Sequence, residues 1–472
     1  MKGKRPRKLK KAMSPMGIFS IALGSIIGWG CFVLPGDRFL PTAGPLGTAI
    51  AMGIGAIMMI IIAANYGYMV KKFPVAGGEF AYAFQGFNRH HAFICAWFLG
   101  ISYISIVPLN ATALGLVGRY LFPGVLQKGL LYSIAGWEVY LGEIIVASTA
   151  IIVFGIMAIK GTKIVNKLQT IITLFLIGSV LVIGSIILTS PEVSIDNLYP
   201  LFSPDSIPLV GILSIVATAP FLFVGFDCIP QAAEEFNFSP KKTFWLMTIA
   251  IIFGAVIYIT MTIITAIVIP WHEMLQSNPF WATGFVVENI MGMVGLILLG
   301  IALIAAIFSG MTGFFMSASR LLLSLTRANI LPKWFGKIHR KYHTPHNSIA
   351  FVMILALIAP WFGRQVLTWV VDMAAIGAAF GYLYTSMSTY RVMKKRNERS
   401  IPYTVNSIVG TILSLIFILL LLVPGAPGHL TTPSLVALVV WCIVGIIFYF
   451  KTGKEYRTME REELQRLILN KK

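Results

Sequence analysis

The first long apolar run, residues 16–42, is interrupted at its centre by Gly24-Ser25-Ile26-Ile27-Gly28-Trp29-Gly30. The run is long enough to cross a bilayer, which takes about 20 residues, yet each glycine disfavours helix by about 1 kcal/mol against alanine. In hydrocarbon, loose backbone is tolerated only where protein buries it or where it lines a cavity. The segment is therefore predicted to be a helix broken at mid-membrane. Its second half would start near Trp29 and turn free amides and a positive dipole end toward an anion. Glycines for close helix packing are the alternative, and a second broken segment decides against it.

Of the 472 residues, 57% are hydrophobic and 12% charged, too little polar surface for a soluble chain, so a polytopic membrane protein is expected. Twelve spans are predicted at 16–42, 46–70, 92–121, 139–159, 166–189, 209–238, 243–269, 292–326, 347–363, 366–391, 402–424 and 432–451. With a cytoplasmic N-terminus, 33 of the 37 Lys and Arg residues fall on the inner side, leaving Arg38, Arg119, Lys128 and Arg364 outside. The positive-inside rule then places both termini in the cytoplasm of a cell (inner) membrane protein. The basic excess is topology, and no nucleic-acid partner is expected. Residues 1–15 form a basic cytoplasmic tail, and 452–472 an amphipathic helix lying on the inner surface. No cleavable leader is expected, because the first run is too long and lacks a small-residue cleavage site. Cys31, Cys95, Cys228 and Cys442 are scattered singly and suggest neither disulfides nor a metal knuckle. His339, His343 and His346 sit in a basic loop without Cys or acid nearby, so no metal site and no cofactor are expected.

Spacing also predicts an internal repeat. The break near Gly28 has a counterpart at Gly225-Phe226-Asp227, flanked by Pro220 and Pro230. The third span, from Ala92, matches the eighth, from Gly292; the fifth, from Asn166, matches the tenth, from Gln365. Five spans are an odd number, so units at 16–189 and 209–391 must be inverted with respect to each other, with 402–451 as two additional helices. Inverted repeats with broken first helices are a mark of alternating-access transporters with a midplane site.

Three motifs carry a family resemblance over essentially the whole chain. GSIIGWGCF resembles the GxGxGIF pattern in the first span of the amino acid–polyamine–organocation (APC) superfamily of secondary transporters. FPVAGGEFAYAF, from Phe73 to Phe84, resembles its PxxGGxYxY loop. FLFVGFDCIPQAAEE, from Phe221 to Glu235, resembles its sixth span, most closely that of cationic amino acid transporters. The resemblance implies the leucine-transporter fold, as in bacterial amino acid permeases. Departures bear on substrate and coupling. Trp29 stands where relatives carry a small residue, Tyr68 where a glutamate is common, and Thr173 where proton-coupled members carry a lysine.

An α-amino acid needs an anion pocket and a cation pocket close together and out of water. Candidates for the first are the amides of Gly28, Trp29 and Gly30 with the Ser25 hydroxyl. For the second they are carbonyls where the first half-helices end, near Ala22, Leu23, Phe221 and Phe223, and Ile26 is a further candidate for substrate binding. Phe223, Phe226 and Trp29 would line the side-chain compartment. Asp227 is a carboxylate at membrane depth, which costs about 2.5–3.5 kcal/mol on insertion scales and marks function by default. It would pair with a substrate ammonium, relay a proton, or hold the break. Thr173, Ser309 and Thr312 offer hydroxyls for an ion between spans one, five and eight, or polar contacts between helices. Tyr103, Ser105 and Asn110 are expected along the pathway, and Glu234 and Glu235 at an inner gate.

These residues point to a secondary active transporter, a symporter or exchanger of amino acids working in the lipid bilayer, with proton or sodium as coupling ion. A permease for polyamines or other organic amines is the alternative within the class; a channel or receptor is the alternative outside it. No nucleophile–base pair or phosphate loop at membrane depth suggests an enzyme. No protein partner is indicated.

Overall fold

The computed structural model describes residues 9–470 apart from 135, 399 and 453; the ends of both tails and the Arg364 side chain lie outside the described residues. Helix α1 (Pro15–Ile27) begins at Ser14, whose hydroxyl accepts the Gly17 N–H at 3.1 Å, and carries proline in its first turn. Both features suit a helix N-terminus, the one filling an orphan donor and the other lacking it. The helix stops at Gly28, which adopts φ 46° and ψ −158°. After this break come α2 (Gly30–Leu34), a wide turn at Pro35–Phe39, and α3 (Leu40–Lys72), itself bent at Gly44 where φ is 71° ahead of Pro45.

A short helix α4 (Gly78–Gly86) leads to α5 (Arg89–Leu121), capped by the Asn88 side chain. Then comes an antiparallel hairpin of β1 (Leu130–Ile134) and β2 (Trp137–Tyr140), with Ser133 opposite Glu138. This hairpin corrects the expectation of a wholly α-helical chain. Its strands are rich in Leu, Ile, Val and aromatic residues, too few in number to span hydrocarbon, and they pair with each other instead. Helices α6 (Leu141–Lys160) and α7 (Thr162–Leu188) complete the first half.

The second half opens with α8 (Pro208–Ala217), α9 (Ala219–Leu222) and, across a non-helical stretch, the single turn α10 (Cys228–Gln231). It continues with α11 (Thr243–Ile267), α12 (Trp271–Gln276) and α13 (Ala282–Arg327). The eighth span is expected from 292; α13 begins ten residues earlier, and Gly292 marks a bend at φ 61° inside it. The remaining helices are α14 (His346–Ala356), α15 (Gly363–Lys395), α16 (Ile401–Leu422), α17 (Thr432–Thr452), α18 (Lys454–Thr458) and α19 (Arg461–Ile468).

Among the described residues, eight helical runs are long and apolar enough to cross a membrane. One of them, Pro15–Lys72, counts 58 residues; straight, it would measure roughly 90 Å, about three times the hydrocarbon thickness. Its bends are therefore obligatory. Large apolar side chains face outward, with Leu181 63%, Trp245 64% and Val294 76% exposed, as a lipid-facing surface requires. The chain is a multi-pass membrane protein. At its centre, α1 is wrapped by α7, α11 and α13, while α5 runs between α13 and α15.

One end of the molecule is tied together by charge. Glu235 and Arg320 of α13 form a two-pronged ion pair at 2.7 and 3.1 Å, with both side chains 2% exposed or less. Beside it, Glu234 takes two bonds from Arg327 at 2.5 and 3.0 Å. The N-terminal stretch joins here too, the Ala12 and Met13 N–H groups donating to the Glu235 carbonyl, each at 3.0 Å. Expected on the membrane surface, the C-terminal segment instead buries Leu464 and Ile468 against the protein. Its approach is clamped by Arg89, which donates to the carbonyls of Tyr456, Arg457 and Met459.

Removing one partner of a buried ion pair leaves an uncompensated charge and costs about 3–5 kcal/mol, whereas replacing both is far milder. Arg320→Met should therefore lower the unfolding temperature in detergent markedly, and Arg320→Met combined with Glu235→Leu should recover most of it. A double mutant no more stable than the single one would refute this.

Candidate functional site

The two breaks touch. Gly225, at φ 131°, lies so close to the first break that an added Cβ would sit 2.7 Å from Ser25 Cβ and 2.8 Å from the Ile26 nitrogen. Only a glycine with its freedom at positive φ permits this approach of backbone to backbone. The freed groups on the α1 side are then satisfied individually. The Gly28 N–H donates back to Gly24 O at 3.0 Å, and the Tyr258 hydroxyl reaches the carbonyls of Ile26 and Ile27 at 3.2 and 3.3 Å. Expected as part of an anion pocket, the Gly28 amide is thus already committed to closing its own helix. Next to the break the buried Ser25 hydroxyl lies beside the Cys228 thiol, and Asn110 Oδ1 has no hydrogen-bond partner among the described residues. The latter lies 3.6 Å from where a Gly28 side chain would begin. Trp29 is buried at the junction into α2, and Gly30 opens that helix.

Asp227 is fully buried on the other side of the contact. Its Oδ1 accepts the Gly225 N–H at 2.8 Å, closing the non-helical turn, and its Oδ2 accepts the Tyr103 hydroxyl at 2.8 Å. That same hydroxyl lies 3.2 Å from Oε1 of Glu79, the second residue of α4 and equally buried. Gln231 donates to the other Glu79 oxygen at 2.5 Å. No Lys, Arg or His among the described residues pairs with either acid. The facing oxygens are thus no more than about 6 Å apart, where two full charges would repel by about 3 kcal/mol even at an effective dielectric of 20. The sequence reading missed Glu79, because its motif reads as a loop and only folding carries α4 back to α10. A glutamate between the Gly-Gly and the aromatic residues of that motif was the available signal.

Trp29, Phe223 and Phe226 belong to one buried apolar cluster but meet different neighbours within it. Phe226 stacks on Tyr382 with ring centres 5.4 Å apart and meets Tyr66 edge-on at the same distance. Phe223 faces Gly55 of α3, and Phe221 packs both against the main cluster and against Ala375, Ile376 and Leu421. Ser105 bonds to the Ser102 carbonyl of its own helix.

Thr173 and Ser309 do converge on α1. The Thr173 hydroxyl donates to Ser20 O at 3.1 Å, and the Gln169 amide nitrogen lies between Ser20 O, at 3.5 Å, and the Ser309 hydroxyl. A carbonyl can only accept, so the group turned toward it is the NH2 of Gln169. This donor sits where the oxygens of Ser20 and Ser309 would otherwise face each other. Thr312 stays apart, its hydroxyl spent on the Phe308 carbonyl one turn back at 2.9 Å.

Gly225→Ala should destabilise by about 1–3 kcal/mol, the usual cost of overpacking, since the obstruction is backbone rather than a movable side-chain tip. Gly28→Val forces a β-branched residue to positive φ and should abolish ligand binding while insertion persists. Thermal unfolding and membrane fractionation read both, and a fully active Gly28→Val would remove the first break from the site.

Residues 13–448 match the family described as amino acid permease. A methylthioribose transporter of Bacillus subtilis is 24% identical, covering 97% of this chain and 96% of the relative. The branched-chain amino acid permease BcaP of the same organism is 23% identical over 96% of both chains. Cationic amino acid transporter 3, mitochondrial, of Arabidopsis thaliana is 24% identical over 86% of this chain and 67% of its own length. This is a family of transporters rather than enzymes, and the chain belongs to the amino acid permease family of the APC superfamily.

Proposed function

We propose that the protein is a secondary active transporter of amino acids, working by alternating access across a cell membrane with both termini in the cytoplasm. The observation that carries this reading is the backbone contact of Gly225 with Ser25 and Ile26, two helix breaks meeting in a buried centre. A break that merely bent a helix would not need a partner at the corresponding place in the other half. In this reading twelve spans form two inverted five-helix units, and α16 and α17 stand outside the repeat. The run Pro15–Lys72 supplies two of the spans, α8 to α10 one broken span.

The substrate carboxylate is assigned to the Ser25 hydroxyl and the amide end of α2 around Gly30, and the ammonium to carbonyls at the end of α1. Trp29, Phe223 and Phe226 bound the space left for the side chain. The cargoes named for the relatives are dissimilar, methylthioribose against branched-chain and cationic amino acids. The pocket wall, not the backbone site, therefore sets the choice. The coupling ion is the proton, carried at Asp227. What favours it over sodium is the donor NH2 of Gln169 between Ser20 O and Ser309 Oγ, because a cation site needs oxygens alone there.

A thermal-shift screen against amino acids and common polyamines identifies the ligand, since bound ligand raises stability by RT ln(1 + [L]/Kd). Trp29→Ser should extend the hits toward larger side chains; an unchanged profile would place the indole outside the pocket. Asp227→Asn mimics the protonated acid and should bind the same ligand with its pH dependence lost. Uptake into proteoliposomes driven by a sodium gradient but not by a proton gradient would overturn the proton assignment.

A further inference from the structure

We infer that Glu79 is a second proton-carrying acid, joined to Asp227 by the Tyr103 hydroxyl, and that the pair passes a proton between the helix break and the basic face. This rests on the proton-coupling reading above and extends it to a residue outside both breaks.

The geometry has three parts. First, one phenol serves two acids. The Tyr103 hydroxyl has a single hydrogen and lies 2.8 Å from Asp227 Oδ2 and 3.2 Å from Glu79 Oε1. With both carboxylates ionised, one of these contacts has no hydrogen in it; with one proton added, both are made. Second, Gln231 is fully buried and its Oε1 is without a partner, while its Nε2 donates to Glu79 Oε2. The amide is thus equipped for either state of Glu79, NH2 toward a carboxylate and, after a half-turn, oxygen toward a carboxylic acid. Third, the titratable groups around the pair are Tyr66 of α3, Tyr82 of α4, Cys95 of α5, Cys228 of α10 and Tyr382 of α15. None is a cation, so a proton is the neutralising charge that the protein leaves room for.

The direction follows from α4. Glu79 lies three residues beyond Ala76, whose N–H faces Glu234 at 3.5 Å, and Glu234 is paired with Arg327 at the basic end of the molecule. Asp227 lies at the break itself. Transfer needs no charged intermediate on the tyrosine. A proton on Asp227 moves to the Tyr103 oxygen as the tyrosine hydrogen moves to Glu79 Oε1. Asp227 is left ionised, Glu79 neutral and Tyr103 unchanged, and rotation of the hydroxyl resets the link.

The test uses the full-length protein in proteoliposomes with the amino acid that gives the largest thermal shift, radiolabelled. Two rates are compared, accumulation driven by an imposed proton gradient and one-for-one exchange, which needs no net proton release. Glu79→Gln and Tyr103→Phe should each lose accumulation by at least about tenfold more than exchange, and Glu79→Asp should recover part of it. Exchange by the same samples shows that they are folded. If wild type couples to protons and both variants keep its ratio of accumulation to exchange, the relay is wrong and Asp227 acts alone. If wild-type accumulation ignores the proton gradient, the coupling reading falls and the relay with it.

Discussion

A peptide group cannot be left unpaired in hydrocarbon, and the rest of this structure follows from how that constraint is met where two helices are deliberately interrupted. Each interruption strands amides and carbonyls that water would otherwise satisfy. Here they are satisfied locally, by Tyr258 on the Ile26 and Ile27 carbonyls and by Asp227 on the Gly225 amide. Packing glycine backbone directly on backbone removes the remaining space. What is left over at the junction, among the described residues, is one Asn110 oxygen, with the Ser25 hydroxyl beside it held only by a thiol.

Charge is distributed by the same rule. Where the molecule holds itself together, at Glu235 with Arg320 and Glu234 with Arg327, each acid has a guanidinium. Where the breaks meet, the partners of Asp227 and Glu79 are neutral: tyrosine hydroxyls, backbone amides and the Gln231 side-chain amide. A paired acid is structural and costly to disturb; an acid held by neutral donors can change its proton without dismantling the fold. The contrast separates the meeting point of the breaks from the ion-paired end, where Glu235 is as fully buried as Asp227 and Glu79.

Much of the architecture was legible in the chain. Apolar length predicts the membrane helices, and Gly28 and Gly225 predict the breaks, because loss of helix propensity is a local property. Spacing also brought out the acids at 234 and 235 as candidates for an inner gate, though not their partners, which lie some 85 to 93 residues away on α13. The β-hairpin at 130–140 was not legible, as its strands are only five and four residues long. Nor was the docking of α19, whose apolar stripe reads equally well as lipid-facing or protein-facing.

The sequence by itself determined that this is a membrane protein of many spans, interrupted at Gly28 and at Gly225, with a carboxylate beside the second interruption. These are matters of composition and local propensity, which need no neighbours. Only the tertiary structure decided what those features meet. It put the Gln169 amide between the Ser20 carbonyl and the Ser309 hydroxyl, committed the Gly28 amide to its own helix, and carried Glu79 from a loop motif to within one tyrosine of Asp227. Hydrogen-bond partners more than a hundred residues apart are set by how helices cross. That geometry is a property of the packed whole and not of any stretch of the chain.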